Sequence, residues 1–144
     1  MKKVSLFFLF AWLALSAAAQ SAGFDAEGFK KLNEQVMEAD GETAEVLGKR
    51  CVAMVLSDPA YVAGYLDARR PLMEKYAMFM GAEFYFKAEG TTDMALDYQG
   101  FKTRITRRTG DAVASRDALK RLYSMIAKAI DSMEEAEKQP QPEL

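Results

Sequence analysis

Apolar residues recur at three- and four-residue spacing along much of the chain, and they predict a run of helices. Phe29, Leu32, Val36 and Met37 share one face of a helix over 25–39, with Asp25 placed to cap its first amides and Asp40-Gly41 to end it. Leu47, Cys51, Met54 and Val55 mark a second helix over 42–57. Gly48 weakens that assignment, and Cys51 to Leu56 alone also reads as a buried strand, but the flanking Ala, Leu and Met favour helix. Asp58-Pro59 opens a third helix, because the carboxylate caps and proline fits the first helical position. Tyr61, Val62, Tyr65 and Leu66 supply its apolar face. Pro71 predicts a kink or a fresh helix to Met80, with Leu72, Met73, Tyr76 and Met80 inward and Gly81 closing the end.

From Glu83 the period changes to two. Phe84 and Phe86 alternate with Glu83, Tyr85 and Lys87; Met94, Leu96 and Tyr98 alternate again; Phe101, Thr103 and Ile105 alternate with Lys102, Arg104 and Thr106. Turns are expected at 89–93 and at Gln99-Gly100, which makes the region a three-stranded antiparallel meander with one aromatic and one charged face. After Thr109-Gly110-Asp111 the helical period returns. Leu119, Leu122, Tyr123, Ile126, Ile130 and Met133 predict a long helix over about 116–137, with Ser115 as a cap. The expected fold class is therefore α+β: three or four N-terminal helices, a three-stranded antiparallel meander and a long C-terminal helix. Residues 20–138 would form a single globular domain, and Pro140 and Pro142 make 139–144 a disordered tail.

The first residues have a different character. Lys2 and Lys3 precede an apolar run from Val4 to Leu15 and a small-residue stretch, Ser16 to Ala19. That order predicts residues 1–19 to be a signal peptide cleaved between Ala19 and Gln20. The apolar run is short of the ~20 residues that span a bilayer. The expected location is outside the cytoplasm, periplasmic or secreted, in a bacterial cell, with no membrane span after cleavage.

Composition then limits the chemistry. The 144 residues contain no histidine and one cysteine. A Ser-His-Asp triad, a Cys-His dyad and a histidine metal site are all excluded, as is an intramolecular disulfide. Cys51 lies on an apolar stripe and reads as a small buried hydrophobe. Glu74, Glu83, Glu89, Asp93 and Asp97 are the remaining acid–base candidates. Each falls on the polar phase of its predicted element, which reads as a solvated face. Asp93 to Asp97 lacks the pattern of a calcium loop, so no metal and no cofactor is expected, and no catalytic residue is assigned.

Charge is unevenly spread. Tyr98 to Lys128 contains eight bases against two acids, whereas the flanking parts of the mature chain are both acidic. If the third strand and the last helix lie side by side, Lys102, Arg104, Arg107, Arg108, Arg116 and Lys120 form one basic face. A charged sheet edge is the simpler account of these residues. The functional one is an anionic or acidic partner in the cell envelope, with no specific nucleic acid, since the mature chain is mildly acidic overall. The leading expectation is thus a small exported non-enzymatic binding module. Its rivals are a carrier of an apolar or lipid ligand, held between Phe84, Phe86 and the helices, and a carboxylate-based hydrolase.

Overall fold

Three aspartates start helices in the manner their short side chains allow. Asp25, Asp58 and Asp97 each accept through Oδ1 from the backbone amide three residues on, at Gly28 (2.8 Å), Tyr61 (3.3 Å) and Gly100 (2.7 Å). The computed structural model describes residues 23–40, 43–88, 97–114 and 116–139. Among them lie α1 (Ala26–Glu38), α2 (Ala44–Ser57), α3 (Pro59–Asp67), α4 (Arg70–Ala88), α5 (Tyr98–Thr109), α6 (Asp111–Ala114) and α7 (Asp117–Lys138). The predicted leader with its Ala19–Gln20 junction, the turn at 89–93, the alternating Met94 and Leu96, the Ser115 cap and residues 140–144 lie outside the described residues.

The α+β expectation is overturned: no strand occurs among the described residues, and the fold is all-helical. Glu83 to Phe86 are the last turns of α4, and Tyr98 to Ile105 begin α5. The reason differs between the two. Helix α4 is buried over about 200° of its circumference at about 100° per residue. Phe79 and Glu83 face α2, Gly81 faces α7, and Phe84 faces α5. A helix covered on several sides loses the single narrow stripe that marks helical periodicity. Phe84 and Phe86 are two residues apart, so they point about 200° apart and not to one face; Phe84 is 3% exposed and Phe86 64%.

In α5 the misleading signal is threonine. Thr103, Thr106 and Thr109 raise strand propensity, yet each hydroxyl donates to the carbonyl four residues back, at Gln99 (2.9 Å), Lys102 (3.1 Å) and Ile105 (2.7 Å). Phe101 and Ile105, four apart, are both buried, and a spacing of four satisfies a helix as well as a strand. Gly110 (φ +81°) then ends the helix, as its flexible backbone permits.

Helix α4 is the hub, packing most extensively on α7 and α2. Gly81 is not a terminus but a contact: a Cβ there would lie 2.8 Å from the Ala129 Cβ of α7. At Gly48 of α2 a Cβ would lie 2.7 Å from the Phe79 carbonyl oxygen of α4. These two glycines let backbones approach where side chains would hold them apart. Around the hub, the buried Tyr76 hydroxyl donates to Asn33 Oδ1 at 2.5 Å, tying α4 to α1. Asn33 takes a buried place on α1, while Met37, expected inside, is 45% exposed. Lys75 Nζ donates to the Met37 carbonyl at 2.9 Å, at the end of α1, where a cation also suits the helix dipole. Phe24, Phe29, Tyr61, Tyr65 and Tyr76 meet mostly edge to face in a second aromatic group beneath α3.

Two glycine substitutions should therefore have opposite signs. Gly64 in α3 is exposed, with nothing within 4 Å of a Cβ. Gly64→Ala should stabilise the protein by up to about 1 kcal/mol through helix propensity. Gly48→Ala should destabilise by about 1–3 kcal/mol, because the backbone of α4 cannot yield cheaply. Urea denaturation followed by far-ultraviolet circular dichroism measures both.

Candidate functional site

The six basic residues singled out from the sequence do not form one continuous face. Four lie on α5, where about 100° per residue places Arg104, Arg107 and Arg108 on one flank and Lys102 on the other. The strand phase that placed Lys102 and Arg104 on one side does not exist. Arg116 and Lys120 lie at the start of α7, one turn apart, and both are exposed.

Two of the six already have structural work. Arg108 Nη1 donates to the Leu56 carbonyl, one of the last of α2 and otherwise without an intrahelical partner. Lys102 Nζ lies 4.4 Å from the centre of the Tyr98 ring, a cation–π contact. Tyr98 is half-buried and donates to the Tyr123 carbonyl at 2.9 Å, and Phe101 is fully buried. Neither aromatic offers a free ring beside the arginines.

Arg104, Arg107, Arg116 and Lys120 are different. Their side chains make no ion pair or hydrogen bond with any described residue. Arg104 and Arg107, with Arg108, border a shallow depression of about 450 Å³ whose other walls are Asp97, Gln99, Gly100 and Thr103. Asp97 is committed to capping α5, so the helix N-terminus is filled. The Arg104 and Arg107 guanidinium groups are open to solvent there without an ion pair, with Asp97 also in the lining. Such a site can hold an anion bidentately.

Arg121, from the same basic segment, is fully engaged elsewhere. Its Nε and Nη2 donate to Asp67 Oδ1 and Oδ2 at 2.6 and 2.5 Å, joining α7 to α3. That hydrogen bonding, helped by the charges of Arg121 and Arg70, holds the Asp67 carboxyl below its ordinary value.

The remaining chemical candidates resolve one by one. Cys51 is fully buried, and burial pushes its thiol far above the ordinary value, so it stays protonated and unreactive. Burial likewise raises Tyr76, and Tyr123 is pushed up to about 12 by burial and by nearby Tyr98. Glu83, expected on a solvated face, is instead buried at 7% exposure against α2, whereas Glu74 is exposed. Among the described residues no three Cys, Asp or Glu side chains come together as a metal site. No helix among them is long and apolar enough to cross a membrane. Phe84 and Phe86 do not face one common space: Phe84 packs on Tyr98 and Phe101 while Phe86 points away.

One surface escaped the sequence reading. Tyr85, Phe86, Met133, Ala136, Glu137 and Gln139 line a groove of about 360 Å³ between the ends of α4 and α7. Taken at helical spacing, Met78, Ala82, Tyr85 and Phe86 form an outward apolar stripe on α4. Reading the segment as a strand hid it.

Two measurements check this account. The stability advantage of the native protein over Asp67→Asn should be complete at about pH 7 and pH 5. It should shrink as the pH falls below the ordinary carboxylate value and through the lower native one, because only there does the folded state take up the proton. Urea midpoints at about pH 7, 5 and 2 test it. A thiol reagent should leave Cys51 unlabelled in native protein and label it fully in denaturant, with native labelling limited by the opening of the fold.

Comparison with protein-family models, with curated proteins and with solved structures finds no match to this chain, so its functional reading rests on the geometry above.

Proposed function

We propose that this chain is a small exported, non-enzymatic binding module that engages an anionic or acidic partner in the cell envelope through Arg104 and Arg107 of α5. The observation that carries this reading is the pair of exposed guanidinium groups that make no ion pair with a described residue. Other cations are engaged within the protein: Arg121 on Asp67, Arg108 on the end of α2, Lys75 on the end of α1. Cations left unpaired keep their field outside the molecule, where it steers an oppositely charged partner. Arg116 and Lys120 at the start of α7 add to that field. Against enzymatic chemistry stand the absence of histidine and the burial of the one thiol.

The test is a double charge reversal, Arg104→Glu with Arg107→Glu, used as bait for solubilised envelope fractions. Both side chains are exposed, so the fold should persist by circular dichroism. Partner recovery should fall by roughly tenfold at low salt, and the difference from the native bait should close at about 0.5 M salt as screening removes the field. Reversal of exposed Lys30 and Lys31 on α1 should leave recovery unchanged. Undiminished recovery by the Arg104/Arg107 double variant at low salt would reject the reading.

A further inference from the structure

We propose that the apolar groove between the ends of α4 and α7 docks the arginine flank of α5 from a second copy of this chain, joining copies head to tail. The inference rests on the reading of Arg104 and Arg107 as partner-binding residues and names the partner. The groove is walled by Tyr85, Phe86, Met133 and Ala136, with Glu137 on its rim. Phe86 is 64% exposed and meets the Tyr85 ring edge-on at 5.3 Å. The apolar stripe continues along α4 through Ala82 to Met78, 47% exposed. An outward helix face of this composition marks a surface that another molecule covers.

Charge identifies that molecule. Beside the groove, α7 presents Asp131, Glu134, Glu135 and Glu137 against Lys138, all exposed and none ion-paired to a described residue. Of the unpaired cations, Arg116 and Lys120 sit at the opposite end of α7, and Arg104 and Arg107 lie along α5, beyond the Phe101 that packs on Phe84. Helices α4 and α7 run in the same direction, since Gly81 meets Ala129 and Phe86 shares the groove with Met133. Helix α2 runs against them, with Gly48 beside Phe79 and Glu83 and Cys51 near Tyr76, so its last residues lie towards the start of α4, and there Arg108 reaches Leu56. Along α7, Arg116 and Lys120 precede Glu134 and Glu137 by about 20–30 Å at 1.5 Å per residue. That is two to three screening lengths at about 0.1 M salt, so the charges at the two ends of α7 cannot neutralise each other within one chain, and no described residue is ion-paired to Arg104 or Arg107. Between chains they can.

The surfaces also match in kind. Arginine stems are apolar and lie well on aromatic and methionine side chains, while the guanidinium groups reach carboxylates at the rim. Phe86 offers an open ring to a cation. Groove-to-groove pairing about a two-fold axis would instead set the α7 carboxylates of one copy against those of the other, which like-charge repulsion opposes. Since the two docking surfaces are different, the contact is heterologous and can propagate.

The experiment is sedimentation velocity of the purified protein across a concentration series at about 20 mM and about 300 mM sodium chloride. The weight-average mass should rise with concentration at low salt and return to that of the monomer at high salt. Arg104→Glu/Arg107→Glu alone and Glu134→Lys/Glu137→Lys alone should each stay monomeric, with native circular dichroism. An equimolar mixture of the two should associate again, because each supplies the charge that the other needs. Phe86→Ser should weaken association by roughly tenfold without changing any charge. A monomer at every concentration in low salt, a salt-independent dimer, or a mixture that fails to associate would overturn the proposal. If the protein stays monomeric while the Arg104/Arg107 double variant still loses envelope-partner recovery, self-docking falls and the binding reading stands. If that recovery is also unaffected, both fall.

Discussion

The structure depends on how closely α4 can approach two other helices at once. Gly48 and Gly81 remove the side chains that would keep α2 and α7 away, and the contacts they leave are with a carbonyl oxygen and an alanine methyl. With backbones this close, Phe79, Met80, Tyr76 and Met73 are buried to 1% exposure or less. One helix can then serve as core for most of the protein. The chain has one cysteine, and no metal-binding cluster occurs among the described residues, whose stability rests on this packing.

A hub buried on several sides leaves little room for polar atoms, and the few inside are specified. Tyr76 and Asn33 satisfy each other at 2.5 Å. Cys51 sits fully buried close enough to Tyr76 for its charged form to disfavour ionisation of the phenol. Ionisation of either group would place an unpaired charge in a dry interior, which is why both are held neutral. At the outer surface, helix ends engage some of the cations. Carbonyls at the ends of α1 and α2 take Lys75 and Arg108, and Asp67 takes Arg121. Arg104 and Arg107 make no hydrogen bond to such a carbonyl among the described residues.

The same feature that makes α4 the hub misled the sequence reading. The amphipathic helices announced themselves: α1 and α7 each bury one stripe, and the caps at Asp25 and Asp58-Pro59 stand where the residue types place them. Helix α4 has no comparable polar face over Met78 to Phe86, and a segment rich in aromatics with alternating charge imitates a strand. Helix α5 did so through its threonines, whose hydroxyls find carbonyls within the helix once it has formed. The site was legible to the same degree. A basic segment is visible in the sequence, but its division into engaged and free cations is not, because the partners of Arg108 and Arg121 lie 52 and 54 residues away.

The amino-acid sequence by itself settled the one-sided helices, their aspartate caps, the lack of histidine chemistry and the charge segregation, since each is a property of neighbours within a few residues or of composition alone. Tertiary structure decided that the described residues are all-helical, that Gly81 is a crossing point, that Glu83 is buried and that Arg104 and Arg107 are among the cations left without an ion pair. Those facts depend on which distant surfaces meet. Burial and pairing across helices carry more free energy than local propensity, so they override it where the two disagree.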